Sequence, residues 1–303
     1  MSENVGRTVV GAVRDLLPVL RDRAQETEDA RVVPAESVKA LEEAGFFRLL
    51  QPARFGGHEA DPITFLTAVR LIASACGSTG WVSSVLGVHP WQLALFPVQA
   101  QEEIWGADST TRMSSSYAPT GRVEAVAGGY RLSGRWSFSS GCDHATWAIL
   151  GGIVLDADGN PADFRNFLVP ASDYVIDDVW DTVGLRGTGS NDIVIADGFV
   201  PEHRSLSFTD VTRCACPGQE ANPAPLYRLP FGSVFSYAIT TPIIGMATGA
   251  YEAHVSYLRE RVRTAYGGQK AAEDPFAQVR IAEAAAELDA AWLALEHNMT
   301  QLM

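Results

Sequence analysis

At 303 residues, 47% hydrophobic and 19% charged, the chain is long enough for two or three packed units and reads as globular rather than disordered. A net charge of −13 argues against a general nucleic-acid binder, which needs a basic face to displace counterions. No apolar run reaches the ~20 residues that span a bilayer, which speaks against a membrane partner, and four cysteines make no disulfide framework.

The first third reads as helices. Val9, Val13, Leu16, Leu17 and Leu20 recur at helical spacing, and Pro34 opens a second helix through Ser37 to Ala44, stopped by Gly45. Asp61-Pro62 is a cap and first turn for a third, which runs to Gly77. Ser78 to Leu95 is apolar and helical, with a break expected at His89-Pro90. Around residue 112 the pattern changes. Strands are expected at Val123–Val126, Tyr130–Phe138, Trp147–Leu155, Phe164–Val169 and Ile193–Val200, with turns at Gly128-Gly129 and Asp158-Gly159. A Pro- and Cys-containing connector covers Arg213 to Pro230. Cys214 and Cys216 lie in it without the further ligands a metal site needs, so they read as two reduced thiols. From Phe231 the chain turns helical again, with two long helices at Ile243–Arg263 and Pro275–Leu302. The expected organisation is α+β: helices over 1–112, a β domain over 113–225 and a helical region over 226–303.

Several chemistries are missing from the sequence. There is no Gly-x-Gly-x-x-Gly after a strand, no P-loop, no Gly-x-Ser-x-Gly elbow and no His-Glu-x-x-His. The six histidines include no i, i+4 pair, and no Glu-x-x-His pattern appears on the helices, so no metal site is expected. The start, Met1-Ser2-Glu3-Asn4, has no basic segment followed by an apolar one, so no secretory signal is read and a cytoplasmic location is expected.

Two runs carry chemistry. In Gly134-Arg135-Trp136-Ser137-Phe138-Ser139-Ser140-Gly141, strand alternation puts Trp136 and Phe138 on one face and Ser137 and Ser139 on the other, ending at a Ser-Gly corner. Gly184-Leu185-Arg186-Gly187-Thr188-Gly189-Ser190 is a second corner, where glycines let backbone N–H and hydroxyl groups approach a ligand closely. Together they suggest a flat polar cofactor held between an aromatic strand and a hydroxyl-bearing loop.

The run Tyr130 to Gly141, followed by His144 and Trp147, resembles the acyl-CoA dehydrogenase superfamily, and within it the branch of two-component flavin-dependent monooxygenases. Val183 to Asp192, ending at Phe199-Val200-Pro201, resembles that branch's second signature. Arg263-Thr264-Ala265-Tyr266-Gly267 looks like the element by which one subunit reaches its neighbour's flavin. The resemblance implies an N-terminal helical domain, a central antiparallel β-barrel and a C-terminal four-helix bundle. These 303 residues supply about half of that bundle, and the principal catalytic base of relatives lies in the remainder. It also implies a homotetramer and a transient flavin reductase partner. The cofactor would be reduced FMN or FAD, which with dioxygen forms a C4a-hydroperoxide that hydroxylates a small, phenolic aromatic substrate.

Carried over residue by residue, the resemblance places Ser140, and less strongly Ser139, at the flavin N5 edge, with Gly141 at the corner. A Ser-Gly turn satisfying its own backbone is the rival reading. Trp136 and Phe138 pack beside the isoalloxazine, or else form ordinary core. Thr188 and Ser190 bond the flavin or its phosphate with Arg186 nearby, against a plain loop. His89 and Ser115 approach the substrate, with His89 favouring phenolate, against a structural histidine. Arg263 reaches a phosphate, or belongs to a solvated basic helix end with Arg259 and Arg261. Rival functions are an acyl-CoA dehydrogenase, an amine N-oxygenase on the same scaffold, and a non-catalytic partner subunit. Against the dehydrogenase, the strand ends Ser-Phe-Ser-Ser-Gly where dehydrogenases more typically read Trp-Ile-Thr-Asn-Gly.

Overall fold

The computed structural model of the chain describes residues 2–263 and 269–303. Helices come first: α1 (Ser2–Asp22), α2 (Ala24–Ala30), α3 (Ala35–Glu43), α4 (Pro62–Ala75), α5 (Gly77–Leu93) and α6 (Val98–Trp105). The apolar stripe of α1 buries Val9, Val13 and Leu20, and the helix packs on α4. α4 begins as its sequence demands: the Asp61 carboxylate accepts from the Ile63 N–H at 2.7 Å, with Pro62 in the first turn.

α5 is the central helix. Every residue from Val82 to Leu93 is buried, because α4, a C-terminal helix and the first strand enclose it. The expected break at His89-Pro90 does not occur, and α5 runs through Pro90. Proline removes one N–H donor, but packing on all sides holds the backbone helical through the gap.

The middle of the chain supplies β1 (Met113–Ser116), β2 (Arg122–Val126), β3 (Gly129–Ser139), β4 (Trp147–Leu155), β5 (Pro161–Pro170), β6 (Val175–Asp177), β7 (Asn191–Pro201) and β8 (Ser205–Ser207), then the short α7 (Phe208–Thr212). They form two four-stranded sheets, ordered β1-β4-β5-β8 and β2-β3-β7-β6. The expected antiparallel pairing holds throughout the two sheets except between β1 and β4, which pair in parallel, and no closed barrel is found among the described residues. Leu132, Trp136, Ile193 and Ile195 from one sheet meet Leu150, Phe167 and Val169 from the other in a shared core.

The chain closes with α8 (Phe231–Glu260), a pairing of β9 (Val262–Arg263) with β10 (Gln269–Lys270), and α9 (Pro275–Leu302). α8 starts at Phe231, where the sequence turns helical, ends at Glu260 rather than Arg263 and, like α5, carries a proline inside, Pro242. Ile243, Phe276, Val279 and Leu293 are exposed on these two helices.

Candidate functional site

The site is built on an irregularity in β3. Its register against β7 shifts between Trp136 and Ser139, and Phe138 takes φ 65°, a left-handed conformation costly for a bulky side chain. Alternation therefore fails there. Trp136 is fully buried between the sheets, its indole N–H donating to the Gly151 carbonyl at 2.8 Å. Phe138 is 69% exposed, edge-on to Trp180 at 5.8 Å between ring centroids. The expectation that both aromatics share one face is corrected: Trp136 is core and Phe138 alone is presented outward.

Ser139 also turns inward, its hydroxyl donating to Ser114 Oγ at 3.0 Å. Ser140, like Phe138, reaches a cavity of ≈ 220 Å³, whose walls include Trp81 and Val85 of α5, Ser115, Tyr117 and Phe235 of α8. The corner at Gly141 has φ 71°, and a Cβ there would lie 3.0 Å from Val82 Cγ1. Its N–H donates to the Thr188 carbonyl at 2.9 Å, so the two sequence signatures meet directly.

Their hydroxyls meet as well. Ser140 Oγ lies 2.7 Å from Ser190 Oγ, which lies 2.7 Å from Thr188 Oγ1, and Trp81 donates its indole N–H to Ser140 at 3.0 Å. Thr188 and Ser190 thus stand behind Ser140 and are absent from the cavity wall. Arg186 is already engaged by its own loop and by α2: it pairs with Asp181 at 2.7 Å and donates to the Glu28 carbonyl, while Glu28 accepts from the Arg186 backbone N–H. The Arg263 side chain and residues 264–268, where the third matching element falls, lie outside the described residues.

Around the cavity, the Tyr117 phenol donates to Gln92 Oε1. Burial pushes the Tyr117 phenol well above the ordinary tyrosine range, so it stays neutral. Ser116 donates to the Ser137 carbonyl at 2.6 Å, tying β1 to the irregular end of β3. His89 stands apart from the cavity wall. Because α5 does not break, His89 points at β1, where Nδ1 bonds the Met113 carbonyl at 2.7 Å, and Nε2 is buried with no partner. A carbonyl only accepts, so Nδ1 carries the proton and Nε2 is a bare acceptor.

Burial lowers the His89 pKa to about 4, the Met113 carbonyl opposing it. The unfolded chain binds this proton near 6.5, so the stabilisation from a neutral His89 is complete above that pH and lost as pH falls towards about 4. At full expression it is worth about 3 kcal/mol. Urea midpoints measured across this window should fall with pH for the wild type and show a flatter slope for His89→Gln; equal slopes would remove His89 as the cause.

Models of the acyl-CoA dehydrogenase N-terminal and C-terminal domains match residues 7–111 and 237–303. The oxygenase subunit HsaA of a flavin-dependent monooxygenase from Rhodococcus jostii (strain RHA1) is 60% identical over 94% of this chain and 74% of the relative. The chain belongs to this family of flavin-dependent monooxygenase oxygenase subunits. The oxygenase component of an FADH(2)-dependent resorcinol hydroxylase from Rhizobium sp. (strain MTP-10005) is 40% identical over 93% of this chain and 70% of its own length. The crystal structure of 3-HSA hydroxylase from Rhodococcus sp. RHA1 superposes with a TM-score of 0.93 at 57% identity, covering 97% of this chain and 75% of that one. Among the cavity's lining residues, Trp81, Tyr117 and Phe235 are not singled out by sequence reasoning, because they sit in apolar or Ser-rich runs that carry no motif.

Proposed function

We propose that this chain is the oxygenase component of a two-component system, taking reduced FMN or FAD from a separate reductase and, with dioxygen, hydroxylating a small phenolic substrate. The observation that carries this is the pairing of an outward-facing, conformationally strained Phe138 with a cavity-facing Ser140 hydroxyl, in a chain with reduced-flavin oxygenases among its relatives. Left-handed backbone at a bulky residue persists where the surroundings over-determine it, as functional sites do.

The residues present fit a flavin. A flat ring needs an aromatic platform and a polar atom at its edge, and Phe138 and Ser140 supply them. The cavity, at ≈ 220 Å³, is too small for a whole flavin nucleotide. It suits one substituted aromatic ring, since cavities of about 150 Å³ take benzene. Trp81, Val85, Tyr117 and Phe235 would bind that ring and exclude water, with Ser115 as the hydroxyl within reach of a phenol. The bound flavin supplies the oxygen activation.

Mixing the chain with chemically reduced flavin and then oxygenated buffer tests this reading. A persistent species absorbing in the near ultraviolet before oxidised flavin appears supports it, and oxidation at the free-solution rate contradicts it. Phe138→Ala should weaken reduced-flavin binding about tenfold while the melting temperature holds, because the lost ring contact is solvent-exposed without ligand. Unchanged affinity by anaerobic titration would take Phe138 out of the site.

The same reading includes a homotetramer, working in the cytoplasm where four free thiols persist reduced. The exposed Ile243, Phe276, Val279 and Leu293 support self-association. Light scattering should show an oligomer, and a monodisperse monomer would count against it.

A further inference from the structure

The hydroxyl chain behind the cavity has a direction. At one end Trp81 Nε1, which only donates, lies 3.0 Å from Ser140 Oγ. At the other end the Leu185 carbonyl, which only accepts, lies 2.9 Å from Thr188 Oγ1. Between them Thr188 to Ser190 and Ser190 to Ser140 are each 2.7 Å. Each hydroxyl owns one proton. Thr188 donates to Leu185, so it accepts from Ser190; Ser190 therefore accepts from Ser140, and Ser140 accepts from Trp81. The reverse order would leave the Thr188 and Leu185 oxygens 2.9 Å apart with no proton between them. Ser140, Ser190 and Thr188 are only 6%, 4% and 2% exposed, so water does not compete to reverse the chain.

We propose that Thr188 and Ser190 are positioning residues that hold the Ser140 proton away from the cavity, leaving Ser140 Oγ with a single lone pair to offer as an acceptor. This rests on the flavin reading above and deepens it. In reduced flavin N5 carries a hydrogen and donates, whereas in oxidised flavin N5 is a bare acceptor. An acceptor-only Ser140 matches the first and repels the second. The site thereby takes up flavin in the state a reductase delivers and releases it once oxidised. Thr188 and Ser190, which the sequence assigns to the cofactor itself, would act on it through Ser140.

The test is redox-state selectivity. Dissociation constants for oxidised and reduced FMN and FAD are measured on the full chain, the reduced forms anaerobically, for wild type, Ser190→Ala and Ser190→Thr. Ser190→Ala removes the acceptor of the Ser140 proton, which is then free to turn to the cavity. Oxidised flavin should bind about tenfold tighter and reduced flavin nearly unchanged, while Ser190→Thr, which keeps the hydroxyl, retains wild-type selectivity. A tenfold change in the ratio also raises or lowers the midpoint potential of bound flavin by about 30 mV, and here it lowers it. Equal loss of both affinities in Ser190→Ala, or a ratio within about twofold of wild type, overturns the proposal and leaves the flavin reading standing. If the wild type binds no reduced flavin, the flavin reading itself fails.

Discussion

Ser140→Ala should divert the reaction from product to hydrogen peroxide. The hydroxyl is the cavity-facing polar atom at the corner where the two signatures meet, and Trp81 and Ser190 hold it in place at 3.0 and 2.7 Å. A single pre-positioned hydrogen bond from a buried hydroxyl is worth about 10²-fold in rate, because the partner pays no reorganisation when charge or protons shift. Without it, unproductive flavin oxidation should accelerate about 10²-fold, and hydroxylated product per flavin oxidised should fall at least about tenfold. Peroxide yield and product yield, measured together in single turnover, check this. Stability should change by only about 1–2 kcal/mol, from the Trp81 N–H left without its acceptor. Ser140→Thr keeps the oxygen and should recover most of the coupling. An alanine variant that stays coupled would take Ser140 out of the chemistry.

Much of the fold around this site was legible in the sequence where it depends on local rules. Asp61-Pro62 starts a helix wherever it occurs before an apolar run, and glycines at 141 and 189 take the positive φ that their corners require. The meeting of the two signatures follows from the family resemblance. What was not legible depends on tertiary enclosure. Pro90 reads as a break, yet α5 is buried on all sides and continues, which turns His89 to β1 instead of the cavity. Met113-Ser114-Ser115-Ser116 has little strand propensity, but it pairs in parallel with β4, and Ser114 and Ser116 hydroxyls bond Ser139 and Ser137 of β3. Arg186 reads as a free cation beside a ligand loop, and only the fold shows Asp181 and Glu28 already engaging it. Trp81 carries no motif, and its role comes from a partner 59 positions away.

The failure of alternation at residue 138 leads to the largest expected change in stability. Trp136→Ala should destabilise the protein by about 3–5 kcal/mol, the range for emptying a core position of a large aromatic. Its ring is fully buried in the core between the sheets and fits tightly against Gly121, where a Cβ would lie 2.0 Å from Trp136 Cζ2. Loss of the indole also leaves the buried Gly151 carbonyl without its donor, which adds to the cost. Denaturant midpoints for Trp136→Ala and Phe138→Ala should separate the two aromatics cleanly. The first should lose stability with flavin affinity affected only through unfolding, and the second should lose affinity with its midpoint held. Strict alternation would make the two variants alike. The register shift and the left-handed backbone at Phe138 make Trp136 a wedge between sheets and Phe138 a surface for the cofactor, so a shared phenotype would contradict the bulge itself.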